Sequence, residues 1–340
     1  GFQKFQACNF SITFRDGKAL IDPLVLTVSP GEAVRCRGWI GTDLTYDLTL
    51  DSDPVSLAGI KAVDTTGGLQ GLIRLDLKGS GSLRNPSLEG SVSVTRLAVN
   101  AAAFDDMILN VAVRDRRITV KGKLNFDLEG SYNFGSRRFM IAALFNKTDL
   151  APYLSAAGRK SLWGTVTGTI RAEGSALAPD RASLGISLTQ LELISAGERL
   201  VTSSRFDARA AGGVLVIPGI RLALLDAGWI RISGGGSIDN ALNITMDSVI
   251  PLNLANRFTN NLTNFKGTLT ARGGITGTRF HPHINADVSL DNIGFSIPSI
   301  GNEVREMNGK ISFTPERITL HDIGGLMGQG RFGITGVTGV

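Results

Sequence analysis

The chain has 340 residues, 42% of them hydrophobic and 19% charged, which excludes a disordered segment and supplies material for a large core. A formal net charge of +5 comes with only 6% aromatic residues. The densest cationic patches are Arg114, Arg116, Arg117 and the pair Arg137-Arg138. That pattern excludes a nucleic-acid face built of basic and stacking groups, and it leaves room for attraction to anionic lipid head groups.

Glycine is in excess at 42 of 340 residues, where average usage is about 7%. Single glycines between short apolar runs read as turns, bulges and strand ends. Cys8 and Cys36 lie near strand-like segments, so a bond across neighbouring strands and two free thiols both fit. No initiating Met or signal peptide stands before Gly1, and the chain reads as part of a longer protein whose targeting signals lie elsewhere.

Tyr46, Leu48 and Leu50 alternate with Asp47, Thr49 and Asp51; Ile73, Leu75 and Leu77 alternate with Arg74, Asp76 and Lys78. Leu124, Phe126 and Leu128 do the same with Asn125, Asp127 and Glu129. A hydrophobic period of two predicts antiparallel strands, dry on one face and wet on the other. Helix is expected only as one or two turns at Asp149–Leu154 and Asn253–Phe258. Val214–Ile230 is the most apolar stretch, and Pro218, Gly219, Arg221 and Asp226 break it as a membrane span.

The chain repeats itself. A pattern G-x9-G-x4-P runs from Gly71 through Gly81 to Pro86, again from Gly164 through Gly174 to Pro179, and again from Gly267 through Gly277 to Pro282. A Leu-Ala pair precedes each copy at Leu57, Leu150 and Leu254, and an alternating run follows at Ser91–Val94, Gly185–Leu188 and Asp287–Leu290. The repeats are taken as 1–58, 59–151, 152–255 and 256–340, one array over residues 1–340 with about eight strands each. Glycine followed by proline marks a strand connection on the rim of the sheet.

The element from Gly71 to Val94, with the closing run from Arg317 to Gly336, resembles the signature of the TamB/AsmA-like family. That resemblance implies an all-β fold with very little helix: an elongated, curled, mostly antiparallel sheet, a β-taco or repeating β-groove with an apolar interior. It also implies a periplasmic location in a full-length protein anchored in the inner membrane of a Gram-negative envelope. The expected function is that of a groove segment carrying phospholipid between inner and outer membrane. The alternative is a scaffold or chaperone for outer-membrane β-barrel assembly, with an Omp85-type barrel as partner. The groove-lining set expected from alternation is Ile73, Leu75, Leu77, Val92, Val94, Leu124, Phe126, Leu128, Val166, Ile170, Leu188, Leu269, Val288, Leu290, Ile311 and Phe313. A bulge reverses such an assignment locally.

Sharper chemistry is not expected: no catalytic residue, cofactor or metal is assigned. His281-Pro-His283 has only the distant His321 as a third ligand. Gly328-Gln-Gly-Arg-Phe-Gly333 matches a dinucleotide fingerprint by letter, and the strand-like Ile334-Thr-Gly-Val-Thr after it supplies no helix for a pyrophosphate.

Overall fold

The protein is seen in a computed structural model that describes residues 6–60, 68–257, 259 and 261–339. It is nearly all β, with 75% strand and 5% helix. The chain divides into two compact units, one comprising Gly1–Lys160 and Thr169–Pro179, the other Ser161–Gly168 and Asp180–Val340.

The first unit holds β1 (Ala7–Asn9), β2 (Ile12–Arg15), β3 (Lys18–Ser29), β4 (Glu32–Gly41), β5 (Thr45–Ser52), β6 (Val55–Ser56), β7 (Leu69–Ser82), β8 (Asn85–Val99), β9 (Ala102–Ala103), β10 (Met107–Arg114), β11 (Arg117–Lys123), β12 (Asp127–Asn133) and β13 (Arg138–Asp149). Both β1 and β2 pair with β3, and the ladder continues β3–β4–β5–β7–β8–β10–β11–β12–β13. The short β6 and β9 lie against β7 and β8. Every one of these pairings is antiparallel, as the clean alternation of Ile73, Leu75 and Leu77 with charged neighbours requires.

Two strands carry residues of both units, β14 (Leu162–Ser175) and β15 (Ala178–Ser195). The second unit continues with β16 (Glu198–Ser203), β17 (Phe206–Ala211), β18 (Val214–Leu224), β19 (Trp229–Ser237), β20 (Ala241–Pro251), β21 (Thr263–Gly277), β22 (Pro282–Ile297), β23 (Asn302–Phe313), β24 (Arg317–Met327) and β25 (Gly330–Gly339). Here β15 pairs with β16 and β17, both pair with β18, and antiparallel neighbours then follow in order to β25.

The G-x4-P element is a hairpin in all three copies. Gly81 faces Pro86 across a turn at Leu83-Arg84, and Gly277 faces Pro282 across residues 278–281. The middle copy, Gly164 to Pro179, joins β14 to β15. These hairpins carry the longest strands, 14 and 15, 14 and 18, and 15 and 16 residues. Each Leu-Ala landmark lies in or beside a helical turn: Leu57–Gly59, α1 (Ala151–Ala156) and Leu252–Arg257. Phe258, the last residue of the second expected turn, lies outside the described residues. The second and third repeats hold seven strands each among the described residues, β7–β13 and β14–β20, beside the expected eight or so. Cys8 and Cys36 sit on β1 and β4, with β3 between them, and both thiols are free. Two strand spacings, about 9.6 Å, exceed disulfide reach.

Burial is sparse. The chain exposes 20340 Å². A compact protein of its mass, 36.0 kDa, would expose about 13,300 Å², and two bodies of half that mass about 16,100 Å² together. Most apolar side chains are half-buried, because one sheet layer covers only part of its own dry face. In the second unit Leu200 of β16 is 2% exposed, and three further well-covered residues lie beyond a line of three bulges. Register shifts between Leu290 and Ile293, Arg305 and Asn308, and Leu320 and Ile323. Asn292, Glu306 and Asp322 take φ of 49°, 53° and 43° there. Bulges bend a strand and increase its twist; past this line Ile293, Val304 and Ile323 are only 2%, 5% and 6% exposed.

Candidate functional site: an apolar sheet face in each unit

Residues directly opposite in an antiparallel ladder share a face, so registers can be read as rows. In the first unit one row runs Leu75–Val92–Leu109–Gly122–Leu128–Ala143. The row beside it runs Leu24–Cys36–Leu50–Leu77–Gly90–Val111–Val120–Gly130–Ile141. On the other side Val55, Ile73, Val94 and Met107 are neighbours. Ile73, Leu75, Leu77, Val92, Val94 and Leu128 are thus brought onto one face. Burial supports this: Val55 and Val94 are buried, and the rest of the set is half-buried.

The opposite face is polar. Asp76–Ser91–Asn110–Lys121–Glu129 form one row and Arg74–Ser93–Ile108–Lys123–Asp127–Leu144 the next. Its charges pair locally, Arg114 with Glu89 at 2.6 Å and Lys121 with Glu129 at 3.4 Å. Near its start the Arg35 guanidinium bonds Asp53 and holds that carboxyl below its usual pKa. Two hollows open on the polar side: one of 550 Å³ touches Asp76, Glu89 and Lys121, another of 710 Å³ touches Lys123, Asp127 and Arg171.

Leu124 and Phe126 differ from their expected setting. They lie in the tight connection between β11 and β12, where the Leu124 N–H bonds the Phe126 carbonyl at 2.9 Å. Phe126 packs on Phe145 with ring centroids 4.9 Å apart, at the end of the face rather than its middle. Nearby, Tyr153 of α1 donates to Asn125 Oδ1 at 2.7 Å and packs edge-on against Phe104. Ile170 lies on β14 in the part assigned to this unit, half-buried between the polar-side neighbours Thr169 and Arg171.

The second unit repeats the arrangement. One row is Leu222–Ile230–Ser248–Ala271–Val288–Ile311–Leu320, and beside it Phe313 stands between Ala286 and Ile318. Ile250, Leu269 and Leu290 form the next row. Val166 is buried on β14 and Leu188 faces Phe206. The reverse face carries Arg221–Arg231–Asp247–Arg272–Asp287–Ser312. The buried Ser248 hydroxyl donates to the Ala271 carbonyl at 3.5 Å and does not break the apolar row.

Alternation missed several lining residues. Met107-Ile-Leu-Asn-Val-Ala-Val113 is apolar at both parities, so only register separates Leu109 and Val111 from Ile108. Ile293, Val304 and Ile323 were hidden by the bulges, for which Asp291-Asn292 and His321-Asp322 inside apolar runs were the available signal. Among the described residues no three His, Cys, Asp or Glu side chains group as metal ligands. His281 lies in a turn, and His321 contacts Ser312 at 3.2 Å. The glycine fingerprint at Gly328 opens strand β25. No helix among the described residues is long and apolar enough to cross a membrane. No family model, curated protein or solved structure matches the chain.

Proposed function

We propose that this chain is a phospholipid-carrying segment of a TamB/AsmA-like envelope protein, held in the periplasm by an inner-membrane anchor outside the described residues. The observation that carries the reading is the apolar face repeated in both units, with charge confined to the reverse side. Removing an acyl chain of about sixteen carbons from lipid into water costs on the order of 13 kcal/mol, at about 0.8 kcal/mol per CH₂. A half-exposed aliphatic surface offsets much of that cost without any tight site, and the side chains need only be apolar and yielding. No catalytic group takes part. The second reading, a scaffold for outer-membrane barrels with an Omp85-type partner, draws on β25, which pairs with β24 alone among the described residues and is exposed at nine of its ten positions.

The test is native mass spectrometry with lipid extraction on the chain purified from a Gram-negative host. Phospholipid should accompany the folded protein. A folded, monodisperse and lipid-free chain would sink the lipid reading and leave the scaffold.

A further inference from the structure

We propose that the polar face of the second unit carries a phosphate-binding site built on Arg221 and Arg231. The two arginines are directly opposite each other on β18 and β19. Like charges in that position repel and cost stability. Both side chains are exposed, and neither has a carboxylate partner among the described residues. Some other cations of this unit are paired: Arg272 takes Asp247 at 2.7 Å, Arg199 takes Glu192 at 2.6 Å and Lys310 lies 3.8 Å from Asp287. Asp247 is opposite Arg231 in register, yet its oxygen is held by Arg272. Two directly opposed like charges with no carboxylate set between them mark a place for an external anion.

The surroundings fit a tetrahedral oxyanion. Arg221 lies over the Trp229 ring at 5.4 Å from its centroid, a cation–π contact. Two positions from Arg231 on the same strand, and so on the same face, Ser233 meets Thr245 at 3.2 Å. That pair places two small polar side chains on the same face and adds no bulk there. Two planar forks supply donors of the kind a phosphate demands, which arginine binds through paired hydrogen bonds. This site lies on the reverse side from the apolar face and does not depend on lipid lying there.

The experiment titrates the 340-residue chain with inorganic phosphate by calorimetry at constant ionic strength. In parallel the chain is sedimented with phosphatidylglycerol and with phosphatidylcholine vesicles. Saturable phosphate binding is expected, weakened about tenfold or more in Arg231→Gln and in Arg221→Gln, since each removes charged hydrogen bonds. Both variants should keep the parent's circular dichroism, because removing one of two repelling charges does not cost stability. Retention on phosphatidylglycerol alone, lost in the same variants, assigns the phosphate to a lipid head group. Phosphate binding without vesicle retention assigns it to a soluble phosphate ester. No saturable phosphate binding, or binding and retention that both variants leave unchanged, overturns the site.

Discussion

Leu75→Asp is expected to strip phospholipid from the chain while leaving it folded. Leu75 stands in the middle of the first unit's apolar face, opposite Val92, with its N–H bonded to the Ser52 hydroxyl at 2.9 Å. That hydrogen bond belongs to the backbone and survives the substitution. The side chain is half-buried, so the new carboxylate can reach water, and the stability cost is about 2–3 kcal/mol for lost apolar contact and partial desolvation. An acyl chain lying along the row would meet a charge with no partner, which costs it far more than any single methylene contact contributes. Ser93→Asp is the matched control. It places the same charge on the same ladder but on the polar face, between Arg74 and Ile108. Lipid content per folded chain, read by mass spectrometry, should fall several-fold in the first variant and stay at the parent level in the second. Equal lipid in both would show that the apolar face is not where lipid lies.

Gly90→Ala is expected to be among the most damaging single-methyl changes in the first unit. Gly90 sits in mid-strand with φ at 152°, and a Cβ there would lie 2.0 Å from the Asp76 carbonyl oxygen and 2.7 Å from Leu77 Cα. Those are backbone atoms of the neighbouring strand, so relief requires moving β7 against β8. A loss of about 3 kcal/mol or more in the thermal or denaturant transition follows, at the upper end for a point mutation. Gly185→Ala provides the contrast, since nothing lies within 4 Å of its Cβ position and its φ is ordinary. Its stability should change by less than about 0.5 kcal/mol in either direction. If the two alanines behave alike, β7 and β8 do not approach at Gly90 as described.

Gly90 also shows where sequence reasoning stops. The excess of glycine pointed to turns and strand ends, and Gly81 and Gly277 serve there. Gly38, Gly90, Gly235 and Gly309 instead lie inside strands at positive φ, where the sheet approaches itself too closely for a side chain. Composition does not distinguish the two uses. Alternation at Tyr46–Leu50 and Ile73–Leu77 made the antiparallel strands legible, and the Leu-Ala pairs made the helical turns legible, because both signals are local. The rows are not local. Leu109 belongs to the apolar face only because Met107–Val113 pairs with β8 in one register and not the next. Ile293 reaches it only because Asn292 absorbs a residue in a bulge. The separation of Cys8 from Cys36 by β3 is a matter of strand order, on which two single cysteines carry no information.

The most direct measurement is a photo-crosslinking scan along β7, placing a photoreactive side chain at each position from Ile73 to Lys78 in turn and recovering the chain with its lipid from the envelope. Phospholipid adducts are predicted at 73, 75 and 77, and none above background at 74, 76 and 78, since successive residues of a strand face opposite sides. Adducts that ignore parity, or that favour Arg74, Asp76 and Lys78, would contradict a lipid path on the apolar face.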